Sequence, residues 1–202
     1  MNDIIQQIVD IEWAFFDQVQ NIGGRADCQD DYPTFLIMRK SQFLCWSEEL
    51  LHSYYTDLLD YQEKGENPLA CKYAYMMRLL SPAEYDAMKE MLPEITDEKR
   101  SLVDEIVGQH KIWQRTFYQN HPKLAGRSRP QSSEDDFPGA VSSETYLRCE
   151  LYTYSFATLE LYRDYVQSLA FAGHNLVAMI MDHTAKFYGY EDTMDVERHL
   201  NR

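Results

Sequence analysis

Seven consecutive residues, Arg25-Ala26-Asp27-Cys28-Gln29-Asp30-Asp31, place a guanidinium, three carboxylates, an amide and a thiol side by side. A loop of that content, carried by a rigid scaffold, is where binding and catalytic groups gather. The Cys28 thiol could act as a nucleophile if a positive neighbour or a helix start lowered its pKa, and Arg25 is close in sequence. Asp27, Asp30 and Asp31 work against this by favouring the neutral thiol. The same carboxylates could hold a divalent cation for phosphate chemistry. The pairs of Glu-x-x-His motifs on facing helices that build carboxylate-metal centres in bundles are missing, so no metal ligands are assigned. The plain alternative is that Arg25 clamps the loop by salt bridges and an aspartate caps the helix that follows.

A second constellation lies just downstream. Arg39, Gln42, Trp46 and Glu49 recur at steps of three and four, which puts them on one face of a helix. Later in the chain Arg148, Glu150 and Tyr154 stand at the positions matching Lys40, Gln42 and Trp46. These polar groups fall on helices that otherwise read as buried, and buried polar groups are tolerated only when paired. Two outcomes are open. Arg39 or Arg148 pairs with Glu48, Glu144 or Glu150 across the molecule, or the groups line a wet cleft that holds a polar ligand. In a cleft, the arginines would suit a carboxylate or phosphate, and Trp46 would supply an apolar or cation–π wall. Glu150 or Glu48, buried with a raised pKa, would be the general acid or base.

The scaffold that must position these groups is helical almost throughout. Ile4, Ile8, Ile11, Phe15, Val19 and Ile22 form the stripe of one amphipathic helix, and Leu102, Ile106, Trp113 and Phe117 form another, with Thr96 as N-cap. Pro33 suits the first turn of a long helix running to about Lys64. Gly65 fits a left-handed stop, Asn67 the next N-cap and Pro68 the next first turn. Ser81-Pro82-Ala83-Glu84 reads as a capping box. No stretch alternates with the period of a strand.

The punctuation occurs twice. Gly24-Arg25, Asp30-Asp31-Tyr32-Pro33, Ser47, Tyr54 and Gly65-Glu66-Asn67 are matched in order by Gly126-Arg127, Asp135-Asp136-Phe137-Pro138, Ser155, Tyr162 and Gly173-His174-Asn175. Two short loop insertions bring the copies into register. The chain therefore reads as one all-α domain spanning 1–202, of roughly eight helices. It would consist of two similar modules, about 1–94 and 95–202, related by internal duplication and packed around a pseudo-twofold axis. Features kept in both copies read as scaffold. Differences such as Cys28, Arg39, Gln42 against Glu150 and Trp46 against Tyr154 are where a directional site would arise.

With 19 basic against 33 acidic residues the net charge is −14, which opposes binding to nucleic acid backbones or anionic membranes. The four cysteines stand singly, with no disulfide framework or zinc spacing, and Cys45 and Cys149 fall in apolar helical pattern. The N-terminus lacks the pattern of a signal peptide, and the longest aliphatic run, Leu176 to Met181, is too short to span a bilayer. A cytoplasmic setting is expected. The six histidines are scattered and the fifteen tyrosines follow apolar stripes, so packing is their default role.

The runs Gly23-Gly24-Arg25-Ala26-Asp27-Cys28-Gln29-Asp30-Asp31, Met38-Arg39-Lys40-Ser41-Gln42 and Thr145-Tyr146-Leu147-Arg148-Cys149-Glu150-Leu151 resemble a bacterial family known as domain of unknown function 4125. Pro122-Lys123 with Gly126-Arg127, and Tyr188-Gly189-Tyr190, extend the likeness over nearly the whole chain. The resemblance implies a bacterial cytoplasmic protein and carries no chemistry, cofactor or substrate.

The leading expectation is a protein that binds a small polar ligand between the two modules, with acid/base catalysis as one outcome. Its lining is expected from Arg25, Asp27, Gln29, Asp31, Arg39, Gln42, Trp46, Arg127, Arg148 and Tyr154, and its reactive groups from Glu150, Glu48 and Cys28. The alternatives are a non-catalytic interaction or assembly module, which would expose an apolar patch and lack an enclosed polar cavity, and a carboxylate-metal enzyme. The pattern names no cofactor and no oligomeric state.

Overall fold

The computed structural model describes residues 2–20, 24–137 and 140–200. Among them are eleven α-helices: α1 (Asn2–Asp17), α2 (Tyr32–Phe43), α3 (Glu48–Lys64), α4 (Pro68–Leu80), α5 (Pro82–Met88), α6 (Asp97–Asn120), α7 (Pro122–Ala125), α8 (Ser143–Leu151), α9 (Phe156–Phe171), α10 (Leu176–Phe187) and α11 (Thr193–His199). No strand occurs among the described residues, so the all-α expectation holds, with eleven helices in place of roughly eight. Ile22, Gly23 and Pro138, each used in the sequence reading, lie outside the described residues.

Most of the excess comes from breaks that the apolar pattern hides. The single long helix expected from Pro33 to Lys64 is two. α2 ends at Phe43, and Ser47 takes an extended backbone (ψ 155°) from which its hydroxyl accepts the Leu50 N–H at 3.2 Å, starting α3. The second half of the chain breaks the same way at Ser155, which accepts from Thr158 N at 3.1 Å. Each break turns the chain through a corner, so Arg39 and Gln42 sit on one helix while Trp46 lies in the turn beyond it. The short α7 supplies the rest.

Other punctuation falls where its chemistry predicts. Asp31 accepts from Thr34 N at 3.1 Å and Pro33 lies in the first turn of α2. Thr96 caps α6, and Gly65 ends α3 in the left-handed region at φ +67°, with Gly173 equivalent at φ +74°. The expected capping box at Ser81 is not formed. Its side chain makes no cap bond, and its carbonyl accepts from Glu84 and Tyr85 instead.

The asparagines do two jobs. Asn67 caps α4 through Ala70 N at 3.0 Å while its Nδ2 donates to the Phe15 carbonyl at the end of α1, 2.8 Å away. Asn175 caps α10 through Ala178 N at 3.0 Å while its Nδ2 donates to the Trp113 carbonyl of α6 at 2.9 Å. Each one fixes where a helix begins and which earlier helix it leans on.

The packing follows one scheme in both halves. α1 lies against α2, α3 and α4; α6 lies against α8, α9 and α10. The halves meet along α3 and α9, and they also interlock, since α2 packs on α10 and α4 on α8. At the seam Leu50, Leu51, Leu58, Leu151 and Leu159 are fully buried, and the rings of Tyr54 and Tyr154 approach to 4.7 Å between centroids. Trp46 is 3% exposed and packs against Phe43, Tyr54, Tyr154 and Tyr162. Each aromatic buries a large apolar area and adds pair geometry worth about 0.5–1.5 kcal/mol. Cys45 and Cys149 are buried, and burial pushes both thiols up to about 12, so they act as small apolar side chains.

Because each asparagine both caps one helix and satisfies a carbonyl of another, Asn67→Ala and Asn175→Ala should each cost about 1–3 kcal/mol in urea denaturation. Asn67→Ser keeps a cap acceptor and loses the Nδ2 donation, so its loss should be smaller than that of Asn67→Ala.

Candidate functional site

Where α1, α2, α4 and α8 converge, the chain buries four ions. Glu12 on α1 is 2% exposed and faces Arg39 on α2, which grips it with two bonds, Nε to Oε2 at 2.7 Å and Nη2 to Oε1 at 2.5 Å. Arg39 Nη1 donates to Gln42 Oε1 at 3.0 Å and crosses to Glu150 Oε1 on α8 at 3.1 Å. The other Glu150 oxygen accepts from Lys72 Nζ of α4 at 2.6 Å. Two tyrosines complete the carboxylates: Tyr54 donates to Glu12 at 2.7 Å and Tyr154 to Glu150 at 3.0 Å.

Burying an ion costs several kcal/mol, offset only when partners and hydrogen bonds replace the lost water. Here two cations face two carboxylates, the sum is neutral, and each carboxylate oxygen has a donor. The titration behaviour follows. Burial alone would raise Glu150, but Arg39 and Lys72 overcome it and hold the carboxyl far below its ordinary range. Burial would likewise lower Lys72 and Arg39, and the carboxylates raise both instead. The expected raised pKa of a Glu150 acid or base is therefore overturned: two cations hold it as a permanent carboxylate. Glu48 is not the buried group expected, since its side chain is 73% exposed in the first turn of α3, 3.9 Å from His52.

The cluster forms one side of a cavity of about 520 Å³ walled by both halves. Its remaining walls are mainly apolar, with Phe16, Phe35, Leu69, Val107, Leu147, Val177 and Ile180 among them. At the rim Lys111 pairs with Glu144 at 2.9 Å, and burial of Glu144 is outweighed by Lys111 and the Ser133 N–H, which hold it low. The Tyr146 ring stands between two cations, Lys72 Nζ at 3.7 Å from its centroid and the Arg129 guanidinium at 5.0 Å. Among the cavity's cations, Arg129 has no carboxylate within 4 Å in the described residues. In the second half of the chain His110 meets the Tyr162 hydroxyl at 3.0 Å, and burial lowers its imidazole to about 4, so it is neutral near pH 7.

Five residues singled out from sequence line the cavity: Arg39, Gln42, Glu150, Asp31 and Cys28. Tyr154 lies behind them, bonded to Glu150. Arg148 reaches the rim indirectly, bonded to Asp104 and 3.5 Å from Glu144. Trp46 is core and not a wall, because the corner at Ser47 turns it away from the Arg39 face. Arg25 bonds Asp30 at 2.8 Å, Asp17 at 2.6 Å and the Gln29 carbonyl at 2.6 Å, the loop clamp weighed against a catalytic role. Gln29 is 1% exposed and ties the same loop to the Phe16 and Val19 carbonyls. Asp27 and Arg127 are exposed. Among the described residues no group of three or more His, Cys, Asp or Glu is placed to hold a metal ion.

Sequence reasoning missed Glu12, Lys72, Tyr73, His110, Arg129 and Tyr146 as site residues. For two of them a signal was present. Glu12 stands at helical spacing between Ile8 and Phe15 on a buried stripe, and Lys72 is the sole charge in the run Leu69–Met77. A lone charge on an apolar face is a buried ion awaiting a partner. Nothing local distinguishes His110 or Tyr146.

Glu150→Gln should leave Lys72 buried without a carboxylate and cost about 3–5 kcal/mol in urea denaturation, with the Glu150→Gln/Lys72→Met pair recovering much of it. His110 gives a pH signature. Its folded pKa of about 4 lies below the ordinary 6.5, so the unfolded chain binds the proton more tightly. Stability should then fall as pH drops from about 6.5 toward 4, by at most roughly 3 kcal/mol, and His110→Gln should flatten that decline. Loss of Glu150's contribution belongs to still lower pH, since its folded pKa is depressed below 4.5 and its contribution is complete above that value.

No curated protein and no solved structure matches the chain. A family model does: it is described as protein of unknown function (DUF4125) and matches residues 2–198, a span that includes every residue of the ionic cluster and the whole cavity wall. The chain belongs to that family.

Proposed function

We propose that this protein binds a small molecule bearing a carboxylate or phosphate on an apolar body, in the cavity between its two halves. The observation that carries the reading is the polarity of that cavity. On one side stand Glu12, Arg39 and Lys72. If the second half is a copy of the first, the matching positions are His110, Leu147 and Ile180, which are neutral or apolar and line the same cavity. The parallel contacts of Asn67 with Asn175, and of Tyr54–Glu12 with Tyr162–His110, support that duplication. A duplicated scaffold has in this way become a pocket that joins an ionic cluster to apolar walls.

The anion is assigned to the end where Arg129 and Lys72 flank Tyr146. Arg39 and Lys72 are neutralised by their carboxylates; Arg129 is the guanidinium with charge to offer, and it presents the fork that suits carboxylate or phosphate. The apolar walls take the rest of the ligand, as is usual for cavities of this size. The alternative of a non-catalytic assembly module gives no reason for a cavity that sets buried ions beside apolar walls, and its presence favours ligand binding.

The dye 8-anilinonaphthalene-1-sulfonate, an aromatic anion, provides a direct probe. It should bind with enhanced fluorescence and be displaced by phenyl phosphate or benzoate. Arg129→Met should weaken binding roughly tenfold, the worth of one charge-assisted contact. Ile180→Trp, which fills the cavity from an apolar wall, should abolish it. Unchanged binding in both variants would place the dye elsewhere and remove the support for this site.

A further inference from the structure

Two neighbouring phenols face the cavity beside the ionic cluster, and the ion pairs already described make no use of them. Tyr146 of α8 and Tyr73 of α4 both line it, and both rings have Lys72 as a neighbour. Lys72 Nζ lies 3.7 Å from the Tyr146 ring centroid and 5.8 Å from that of Tyr73. Arg129 covers Tyr146 from the rim at 5.0 Å. Two phenols, an ammonium and a guanidinium thus meet where the ligand's anionic end is placed.

We propose that this pair is a proton-transfer centre, with Tyr146 as the base and Tyr73 as the hydrogen-bond donor, acting on a carbon acid beside a carbonyl in an anionic ligand. The inference rests on the binding reading above. The Tyr146 phenolate oxygen takes the proton from the carbon next to the carbonyl. The C–H electron pair becomes the new C=C bond, and the carbonyl π pair moves onto oxygen. That oxyanion is met by the Tyr73 O–H and the Lys72 ammonium. Return of the proton from Tyr146 to the same or the conjugated carbon closes the cycle as an exchange or isomerisation, so no oxidant, reductant or second substrate enters.

The surroundings of the two phenols differ in the sense this requires. Burial by itself raises Tyr146, yet Lys72 above all, with Arg39, lowers it against the opposing charge of Glu150 on its own helix, and the net direction is down. Tyr73 is pushed up, first by burial and then by Tyr146, Cys28 and Glu150, so it keeps its proton. Arg129 adds positive charge on the Tyr146 side. Neighbouring titratable groups driven in opposite directions are the mark of an acid and base pair. A base with pKa brought toward neutrality is also the useful one.

Two measurements on the full chain test this. In ligand-free protein, absorbance at 295 nm against pH should show one phenolate forming below the ordinary value of about 10. That step should vanish in Tyr146→Phe and move up in Lys72→Met. Should Lys72→Met fail to fold, Arg129→Met should still move it up, by less. Absence of the early step, or its survival in Tyr146→Phe, overturns the assignment. The second measurement uses phenylpyruvate, which combines a carboxylate, an aromatic body and an enolisable C–H. In D₂O followed by proton NMR, the protein should accelerate exchange at that carbon, and Tyr146→Phe should lose roughly 100-fold or more of the acceleration. Phenylpyruvate that displaces the naphthalene dye without exchange leaves the binding site standing and rejects the proton-transfer role. Failure to displace a dye whose binding Ile180→Trp does abolish rejects this substrate class.

Discussion

The rest of the molecule depends on the neutrality of four buried charges. Glu12, Arg39, Glu150 and Lys72 come from four helices and form two ion pairs, joined where Arg39 also bonds Glu150. Arg39 needs Glu12 from α1 and Glu150 from α8, and Glu150 in turn needs Lys72 from α4. Moving any one helix leaves a charge without water and without a partner, at a cost of several kcal/mol. Apolar packing tolerates small shifts in register far better than this. The cluster therefore acts as a lock on the relative placement of the two halves, and the interlocked pairs α2 on α10 and α4 on α8 hold that placement from outside.

That lock also sets what the cavity can offer. A carboxylate already holding two donors is a poor ligand for anything else, and an arginine bonded to two carboxylates and an amide has little charge left over. The field of the cluster persists even though its hydrogen bonds are filled. It is felt by Tyr146 against Lys72, while Arg129 at the rim is the uncommitted cation. On the proposed duplication, Leu147 and Ile180 stand where Arg39 and Lys72 would repeat, so the second half does not repeat those two charges. The asymmetry between halves, and not their likeness, gives the cavity a direction.

The helices were legible in the sequence to the extent that their ends are written in local chemistry. Gly65 with Asn67-Pro68, Thr96 and Asp31 each perform a function that their own few neighbours determine. The corner at Ser47 was equally local, a serine followed by Glu48 and Glu49 in the manner of a helix start, but the apolar residues on both sides read as one stripe and concealed it. The site was legible only in part for a different reason. A lone Glu12 or Lys72 on an apolar face announces a buried ion, yet its partner lies 27 residues away in one case and 78 in the other. Spacing along a helix cannot report a contact that arises from the crossing of helices. The loop Arg25–Asp31 shows the converse. Its dense chemistry was fully visible, and most of it is consumed in holding the loop down.

The same cations act on two titratable groups with different consequences. Glu150 and Tyr146 stand four residues apart on α8, and Arg39 and Lys72 lower both. A carboxyl that begins in the acid range is driven below any pH at which it could exchange a proton usefully, so the group most like a catalyst in the sequence becomes a fixed counter-ion. A phenol begins far above neutrality, and an equivalent field moves it toward the range where a base has both a populated deprotonated form and real affinity for a proton. Burying a cation pair beside a carboxylate and a tyrosine thus makes a fixed counter-ion of the first and, on the proposed reading, a base of the second. The choice follows from where each group's titration starts, before any ligand enters.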